Sequence, residues 1–278
     1  MRNPKYVQAP FAIPCDFAFE LQKAGELLDA GNDAQQIGQT ILTEVLKLGY
    51  ESEYKFVAYF IFTKALKTLQ SVQILCRCGY GSDGLSLCAV LFENLIDLLY
   101  IGKAPVRRAR RYGQYEQVEP YYQARRVLAE KRLPKGRRKA YARYERDLFS
   151  QGRHLLRFFP SPKNGWSGKS LFDRAKAVKA GLAYRELYWV FCAHKHTLPM
   201  AATGLTVITP SKERGLTTGP DMKGVCHAAE QSTRVLRGIC VILDDLFGLS
   251  IRHEIESCST KLQSAVATVK QSHPAIYD

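Results

Sequence analysis

The chain has 278 residues, of which 46% are hydrophobic and 24% are charged. These ordinary globular values exclude a disordered chain, a collagen-like repeat and a small disulfide scaffold. Lysine and arginine number 40 against 26 acidic residues, and the formal net charge of +14 favours a polyanionic partner, either nucleic acid or an anionic membrane surface.

The apolar and cysteine patterns indicate the compartment. Most of the eight cysteines lie inside apolar helical patterns, which is typical of reduced core thiols. Residues 1–16 lack an apolar run of secretory length, and the longest apolar stretches are broken by charge well short of the ~20 residues that a membrane span needs. We therefore expect a cytoplasmic protein with no membrane span and no disulfides.

Apolar residues recur at spacings of three and four along almost the whole chain, which predicts an all-α fold. The first two helices are predicted to begin at the N-caps Asp16 and Asp33. Gly31 and Gly49 lie where left-handed C-terminal caps would end them.

The next two helices are predicted to form the centre of a multi-helix bundle. One long helix covers 52–78 and ends at Gly79-Tyr80-Gly81. A second, capped by Ser82, runs from about 83 to 101 and is apolar on most sides, as expected for a helix buried all round. We expect these two helices to pair as a central antiparallel hairpin.

Residues 103–163 carry 18 Lys and Arg against 5 Asp and Glu, so almost all the excess positive charge is local. Helices are predicted over 113–132 and 136–151, followed by a Pro/Gly/Ser-rich loop at 160–168. We interpret 103–163 as a basic helical insertion within a single helical domain of residues 1–278.

The remaining chain returns to the apolar helical pattern over 170–197. A Thr/Gly/Pro-rich loop follows at 198–220, long enough to indicate a function or local mobility. Two final helices, about 221–247 and 250–271, are expected to complete the bundle.

The most informative pattern is Tyr184, Tyr188, Cys192 and His196, whose four-residue spacing places them along one stripe of a helix. Together with Leu91-Phe92-Glu93-Asn94-Leu95-Ile96 and the preceding Gly-Tyr-Gly-Ser helix start, this stripe resembles an uncharacterised all-helical bacterial domain family of unknown function. In that family an apolar helix with a Glu after Leu-Phe pairs with a later Tyr-x3-Tyr-x3-Ser-x3-His helix. The resemblance covers roughly residues 50 to 205.

The resemblance implies that Glu93 corresponds to the family's buried Glu, and Tyr188 and His196 to its Tyr and His. This chain has Cys192 where Ser is usual, and Ala89 one turn before Glu93 where the family often has Arg. The family is broadly similar to HEPN-type nucleotide- and RNA-processing domains, which act in toxin–antitoxin and phage-defence contexts. By that analogy of fold, the chain is expected to be an effector that targets RNA.

A Glu on a buried helix can hydrogen-bond a His or Tyr on its neighbour, and burial raises its proton affinity toward the range used in general acid–base catalysis. The candidate catalytic residues of a metal-independent endoribonuclease are Glu93, Tyr188, His196 and His194. The alternative is a structural polar network of Glu93, Asp97, Tyr188 and His196. The chain has no convincing copy of the HEPN-type Arg-x4–6-His motif, so a ribonuclease site has to be assembled by the fold.

Metal and cofactor signatures are weak. The pairs Cys76/Cys78 and His194/His196 have two-residue spacing, which on a helix points their side chains about 200° apart, and no C-x2-C partner exists. No P-loop, dinucleotide fingerprint, nucleophile elbow or HExxH occurs. We therefore predict no metal site and no cofactor.

The basic insertion interleaves arginines with tyrosines, a combination that suits RNA or single-stranded nucleic acid because guanidinium groups bind phosphates and planar groups stack on unpaired bases. The candidate binding residues are Arg107, Arg108, Arg110, Arg111, Arg125, Arg126, Arg137, Arg138 and Arg143. The alternative is a solvated face whose tyrosines pack on the bundle and whose charge serves solubility or an acidic protein partner.

Three functions therefore stay open from the sequence. The first is an RNA-targeting helical effector, enzymatic or not. The second is a non-catalytic protein-interaction or regulatory module of a defence or toxin–antitoxin system, and the third is a purely structural bundle. The basic insertion favours the first.

Overall fold

The computed structural model describes residues 21–22, 24–159, 163–196, 198, 206–208, 214–216, 222–272 and 274. Within these ranges the longer helices are α1 (Gly25–Leu48), α2 (Glu53–Arg77), α3 (Gly81–Gly102), α4 (Pro105–Ala129) and α5 (Lys135–Leu156). They are followed by α6 (Leu171–Ala177), α7 (Gly181–Ala183), a π-helix (Tyr184–Tyr188), α8 (Trp189–Lys195), α9 (Met222–Phe247) and α10 (Arg252–Ser272).

The all-α bundle and its central hairpin are confirmed. Helices α2 and α3 pack side by side and are joined by residues 78–80, so they run antiparallel, and α9 packs along both of them. No residue from 84 to 101 is exposed, because α2, α9, α6 and α8 together cover α3. The apolar pattern of α3 therefore reflects burial at the centre of the bundle.

Helix α3 is also long and apolar enough to cross a membrane, with a mean hydropathy of 1.7 over its most apolar window. More than half of that window, 56%, is buried inside the bundle. This degree of burial is that of a core helix, and among the described residues no other helix is long and apolar enough to cross a membrane.

Helix α3 begins at Gly81, and the prediction that Ser82 is its N-cap is wrong. Gly81 lies against the main chain of α9, where an added Cβ would be 1.9 Å from the nitrogen of Val225 and 2.1 Å from the carbonyl carbon of Gly224. Only glycine allows this approach, so packing between α3 and α9, rather than a capping side chain, determines where the helix starts.

The described part of this region is one continuous helix, α1, over Gly25–Leu48, so Gly31 is not a C-cap and Asp33 is not an N-cap. Gly31 lies inside the helix and faces Gln73. The Gln73 amide group occupies the space that a side chain at position 31 would need. The helix does end at Gly49, as predicted, where φ is 73°. The predicted cap Asp16 lies outside the described residues.

In the basic insertion, two helices form as predicted, but α4 begins at Pro105 rather than near 113. Proline at the first helical position has a favourable φ and lacks only an N–H that would be unpaired there. Helix α5 packs chiefly against α4. The two share a small core of their own, made of Val118, Tyr121, Tyr122, Leu155 and Phe159.

The helical pattern predicted over 170–197 corresponds to several helical segments rather than to one helix. Helix α6 ends at Ala177, and Lys179 has a φ of 63°, which reverses the chain before α7. From Gly181 to Lys195 the chain then runs through α7, the π-helix and α8 without a break. The apolar periodicity indicated helix on both sides but did not show the interruption.

The predicted loop 198–220 contains a short antiparallel pair, β1 (Thr206–Ile208) and β2 (Arg214–Leu216). Its register pairs Thr206 with Leu216 and Ile208 with Arg214. Three residues per strand leave the all-α class unchanged.

Candidate functional site

Glu93 and Tyr188 meet at the contact between α3 and the π-helix. The Tyr188 hydroxyl donates a hydrogen bond of 2.6 Å to Glu93 Oε1, and α8 continues along α3. Burial raises the pKa of Tyr188 far above its usual range, with the Glu93 carboxylate and Cys192 adding to the shift. The hydroxyl therefore keeps its proton and acts as a donor to the carboxylate.

The Tyr188 ring is held between two other rings. It stacks on Phe92 at a centroid distance of 5.7 Å and on Tyr184 at 4.9 Å. Tyr184 to Tyr188 forms the π-helix, an element that is frequent at functional sites. The tyrosine stripe noticed in the sequence therefore meets α3 through Tyr188.

The cation at Glu93 is Lys195, which the sequence reasoning missed. Its Nζ lies 3.1 Å from Glu93 Oε1, and both side chains are about one-third exposed. Ala89, where the resembled family often has Arg, is fully buried in the core. Lys195 of α8 thus supplies the positive charge that, in the resembled family, an Arg at the position of Ala89 on α3 often supplies.

The two histidines occupy different positions. His196 is exposed at the C-cap of α8, and its side chain makes no hydrogen bond or ion pair with any described residue. His194 lies half-buried on α8. The predicted stripe therefore reaches Glu93 through Tyr188, and the helix ends before His196 can join it.

A second carboxylate, Asp97, lies one helical turn after Glu93. Arg174 Nη1 of α6 is 2.7 Å from Asp97 Oδ1, and the indole nitrogen of Trp166 donates a 3.2 Å hydrogen bond to Oδ2. Burial raises the pKa of Asp97 to about 6 and outweighs the opposing effects of Arg174 and Trp166, while the charge of Glu93 raises it further.

Trp166 connects this carboxylate to the basic insertion. Its main-chain oxygen accepts a 2.7 Å hydrogen bond from Arg111 Nε. The guanidinium of Arg108 lies 3.7 Å from the centroid of the Tyr100 ring and donates to the Tyr100 carbonyl. Trp166, Tyr100 and these arginines line a small hollow of about 240 Å³ together with Arg107. The carboxylate cluster and the basic surface are therefore neighbours in the fold.

The nine candidate arginines separate into two groups. Six are exposed: Arg107, Arg110, Arg125, Arg126, Arg137 and Arg143. The other three are half-buried and donate to main-chain carbonyls, Arg108 to Tyr100, Arg111 to Trp166, and Arg138 to Leu128 and Glu130. Because the last group closes helix ends and loops, its substitution would also change the fold.

A larger hollow of about 540 Å³ lies beside the small one, and Arg107 and Arg111 line both. Arg110 and Gln114 continue its wall along α4, and the Phe158 ring, 47% exposed, lies on the other side. By contrast, Tyr121 and Tyr122 of the insertion are buried and do not line either hollow. We call the two hollows together the arginine groove.

Among the described residues, no group of three or more His, Cys, Asp and Glu side chains could hold a metal ion. The partners that the sequence reasoning missed, Trp166, Arg174 and Lys195, come from three different elements. Of these three partners, only Lys195 could have been found from the sequence, because it lies seven residues after Tyr188 and therefore near the same helical stripe.

The fold and site define an all-α protein with a carboxylate–tyrosine pair at its centre and a basic helical hairpin beside it. The chain belongs to the family of unknown function DUF5677, whose family model matches residues 55–213. That range includes Glu93, Tyr188, His196 and the whole basic insertion. No curated protein and no solved structure matches the chain. The family membership is thus confirmed, and the HEPN-type likeness stays a prediction.

Proposed function

We propose that this protein binds single-stranded nucleic acid in the arginine groove, with RNA as the favoured ligand. The observation that carries the proposal is the arrangement of exposed guanidinium groups around an exposed aromatic ring. Arg107 and Arg110 rim the groove and Phe158 lines it. The residues 103–163 around it hold almost all the excess positive charge of the chain.

Each part of the groove suits one part of an unpaired nucleotide. An arginine guanidinium group can donate two parallel hydrogen bonds to the oxygens of one phosphate, and an exposed phenylalanine ring can stack on any base. Arg157 lies 4.7 Å from the centroid of the Phe158 ring, which adds a second planar cation beside the base position. A paired base cannot leave its duplex to reach Phe158 without an unpairing cost, so the groove favours single strands.

The first experiment is a salt titration of binding to a labelled single-stranded oligouridine. Arg107→Gln combined with Arg110→Gln is expected to reduce the slope of log K against log salt by about 1.4, since each phosphate contact on a single strand contributes about 0.7. Both side chains are exposed, so the fold should persist. Lys64→Gln with Lys67→Gln, two exposed positions of α2, removes the same charge elsewhere and serves as the matched control.

The second experiment tests the contribution of the Phe158 ring to binding. Phe158→Ala is expected to weaken binding of the oligouridine by about 1 to 3 kcal/mol, whereas Phe158→Tyr should keep it. Equal binding of Phe158→Ala and wild type, or a slope unchanged by the arginine substitutions, would contradict the proposal. Retention of an acidic protein with no RNA binding would instead favour the protein-interaction alternative.

A second candidate function, a metal-independent endoribonuclease in a toxin–antitoxin or phage-defence setting, is favoured by one observation. Glu93 accepts a hydrogen bond from Tyr188 next to Lys195, which places a carboxylate, a hydrogen-bonding hydroxyl and a cation within one cluster. If the cluster is catalytic, Glu93→Gln should keep the fold and lower RNA turnover by roughly 10²- to 10⁴-fold. Wild-type turnover in folded Glu93→Gln protein would exclude Glu93 as the general base.

The cysteines support a cytoplasmic location for this function. All seven cysteines in the described part of the chain are free thiols, and five of them are buried in the core. Burial raises the pKa of the Cys88 and Cys240 thiols above their usual range, so these groups stay protonated and inert. A reducing compartment preserves this arrangement.

A further inference from the structure

A groove of about 630 Å³ lies between α2 and α4, on a different side of α4 from the arginine groove, and Trp166 lines both grooves. Six of its thirteen lining residues are aromatic: Phe56, Phe60, Tyr112, Tyr115, Tyr122 and Trp166. Phe56 and Phe60 are 53% and 55% exposed, so large apolar rings face solvent here. The volume is that of a small-molecule pocket, roughly 300 to 1,000 Å³.

The charge in this α2–α4 groove is opposite to that of the insertion around it. Glu116 and Glu119, one turn apart on α4, both line it, and they are two of only five acidic residues in 103–163. Burial raises the pKa of Tyr112 to about 12, with Asp97 and Glu119 adding to the shift, and burial raises the pKa of Tyr115 with a further contribution from Glu119. The Glu119 carboxylate therefore lies close to the tyrosine rings.

Aromatic faces and carboxylates attract the same kind of ligand. The negative face of an aromatic ring binds ammonium groups, most strongly those that are weakly hydrated, and two carboxylates add direct charge attraction. The guanidinium in the groove, Arg126, lies on α4 seven residues beyond Glu119 and also acts on Tyr115, so the two carboxylates of the wall exceed its cation by one charge. We propose that the α2–α4 groove binds a small organic cation with an aromatic body.

Trp166 gives the proposal a direct readout. The chain has two tryptophans, and Trp189 is 55% exposed, so Trp189→Phe leaves Trp166 as the fluorescent reporter in the groove wall. Benzyltrimethylammonium is the probe, with benzyl alcohol, benzoate and tetramethylammonium as the neutral, anionic and ring-free comparisons. Saturable change with benzyltrimethylammonium, and weaker change with each comparison, is the expected result.

The carboxylates are tested by Glu116→Gln combined with Glu119→Gln in the same Trp189→Phe background. Affinity for benzyltrimethylammonium is expected to fall about 5- to 10-fold, since each exposed charge contributes modestly. Glu186→Gln with Glu256→Gln, on elements that do not line the groove, makes the same charge change and should leave the affinity unaltered. Phe60→Ala, at an exposed position, should weaken the probe independently.

Three results would overturn the inference. The first is absence of a saturable response to benzyltrimethylammonium in the folded Trp189→Phe protein. The second is equal affinity for benzyl alcohol, which would make the groove an apolar site without charge selection. The third is an equal loss in the Glu186/Glu256 control, which would assign the effect to net charge.

Discussion

The ionisation of Asp97 is governed by two opposing effects. Burial makes the charged form costly, while Arg174 and Trp166 stabilise it, and burial prevails because the pKa is raised from 3.8 to about 6. Between about pH 4 and pH 6 the folded state therefore binds more protons at this site than the unfolded chain does. Its contribution to the free energy of unfolding is present below this window and is lost as the pH rises through it.

Asp97→Asn tests this pH dependence, because an amide oxygen can still accept the Trp166 hydrogen bond but cannot titrate. The free energy of unfolding of wild type minus that of the variant is expected to fall by about 2 kcal/mol from pH 4 to pH 7. Urea denaturation at each pH measures it. A difference that is constant across the range would show that Asp97 titrates at its ordinary value.

Glu93→Gln is predicted to lower the free energy of unfolding less than Glu93→Ala does. Glu93→Gln retains an oxygen to accept from Tyr188 and loses only a partly exposed ion pair with Lys195, so the free energy of unfolding should change by less than about 1 kcal/mol. Glu93→Ala leaves the Tyr188 hydroxyl without its acceptor and should cost about 1 to 3 kcal/mol. Equal losses for both variants in urea denaturation would contradict the assigned hydrogen bond.

At the scale of elements, the contact between α1 and α2 contains a polar side chain in the core. Gln73 is 3% exposed, and neither atom of its amide has a hydrogen-bond partner among the described residues. Gln73→Met keeps a similar volume and removes the unpaired groups, so we expect the free energy of unfolding to rise by about 1 to 2 kcal/mol. Thermal unfolding followed by circular dichroism measures the change.

The matching substitution on α1 should act in the opposite direction. Gly31→Ala would place a Cβ 2.0 Å from the Gln73 amide nitrogen, so the helices must separate or the amide must move. We expect a lower melting temperature for this variant, even though alanine favours a helix more than glycine does. A stabilised Gly31→Ala protein would show that Gln73 yields without cost.

At the scale of the whole molecule, the stability of the fold is distributed unevenly. Helices α2, α3 and α9 share the main core, whereas α5 packs chiefly against α4 over a small cluster. Local opening is easier where fewer apolar contacts hold an element. Amide hydrogens of α5 are therefore expected to exchange faster than those of α3. Equal protection of the two helices in hydrogen exchange would contradict this difference.

The sequence alone determined the helical class, the central position of α3 and the meeting of Glu93 with Tyr188. The first two follow from apolar periodicity, because burial of one face or of all faces leaves a pattern within a single element. The third required the four-residue stripe and the family resemblance. It succeeded because α3 and the later helix each carry their part of the contact on one face.

Only the tertiary structure decided which groups surround that contact. The Trp166–Asp97 hydrogen bond joins residues 69 positions apart, and Lys195 replaces His196 because α8 ends before the fourth member of the stripe. The π-helix, and the division of the arginines into exposed and carbonyl-bound groups, also depend on neighbouring elements. Local patterns record which face of a helix is buried, but partners and exposure arise from packing between segments distant in the chain.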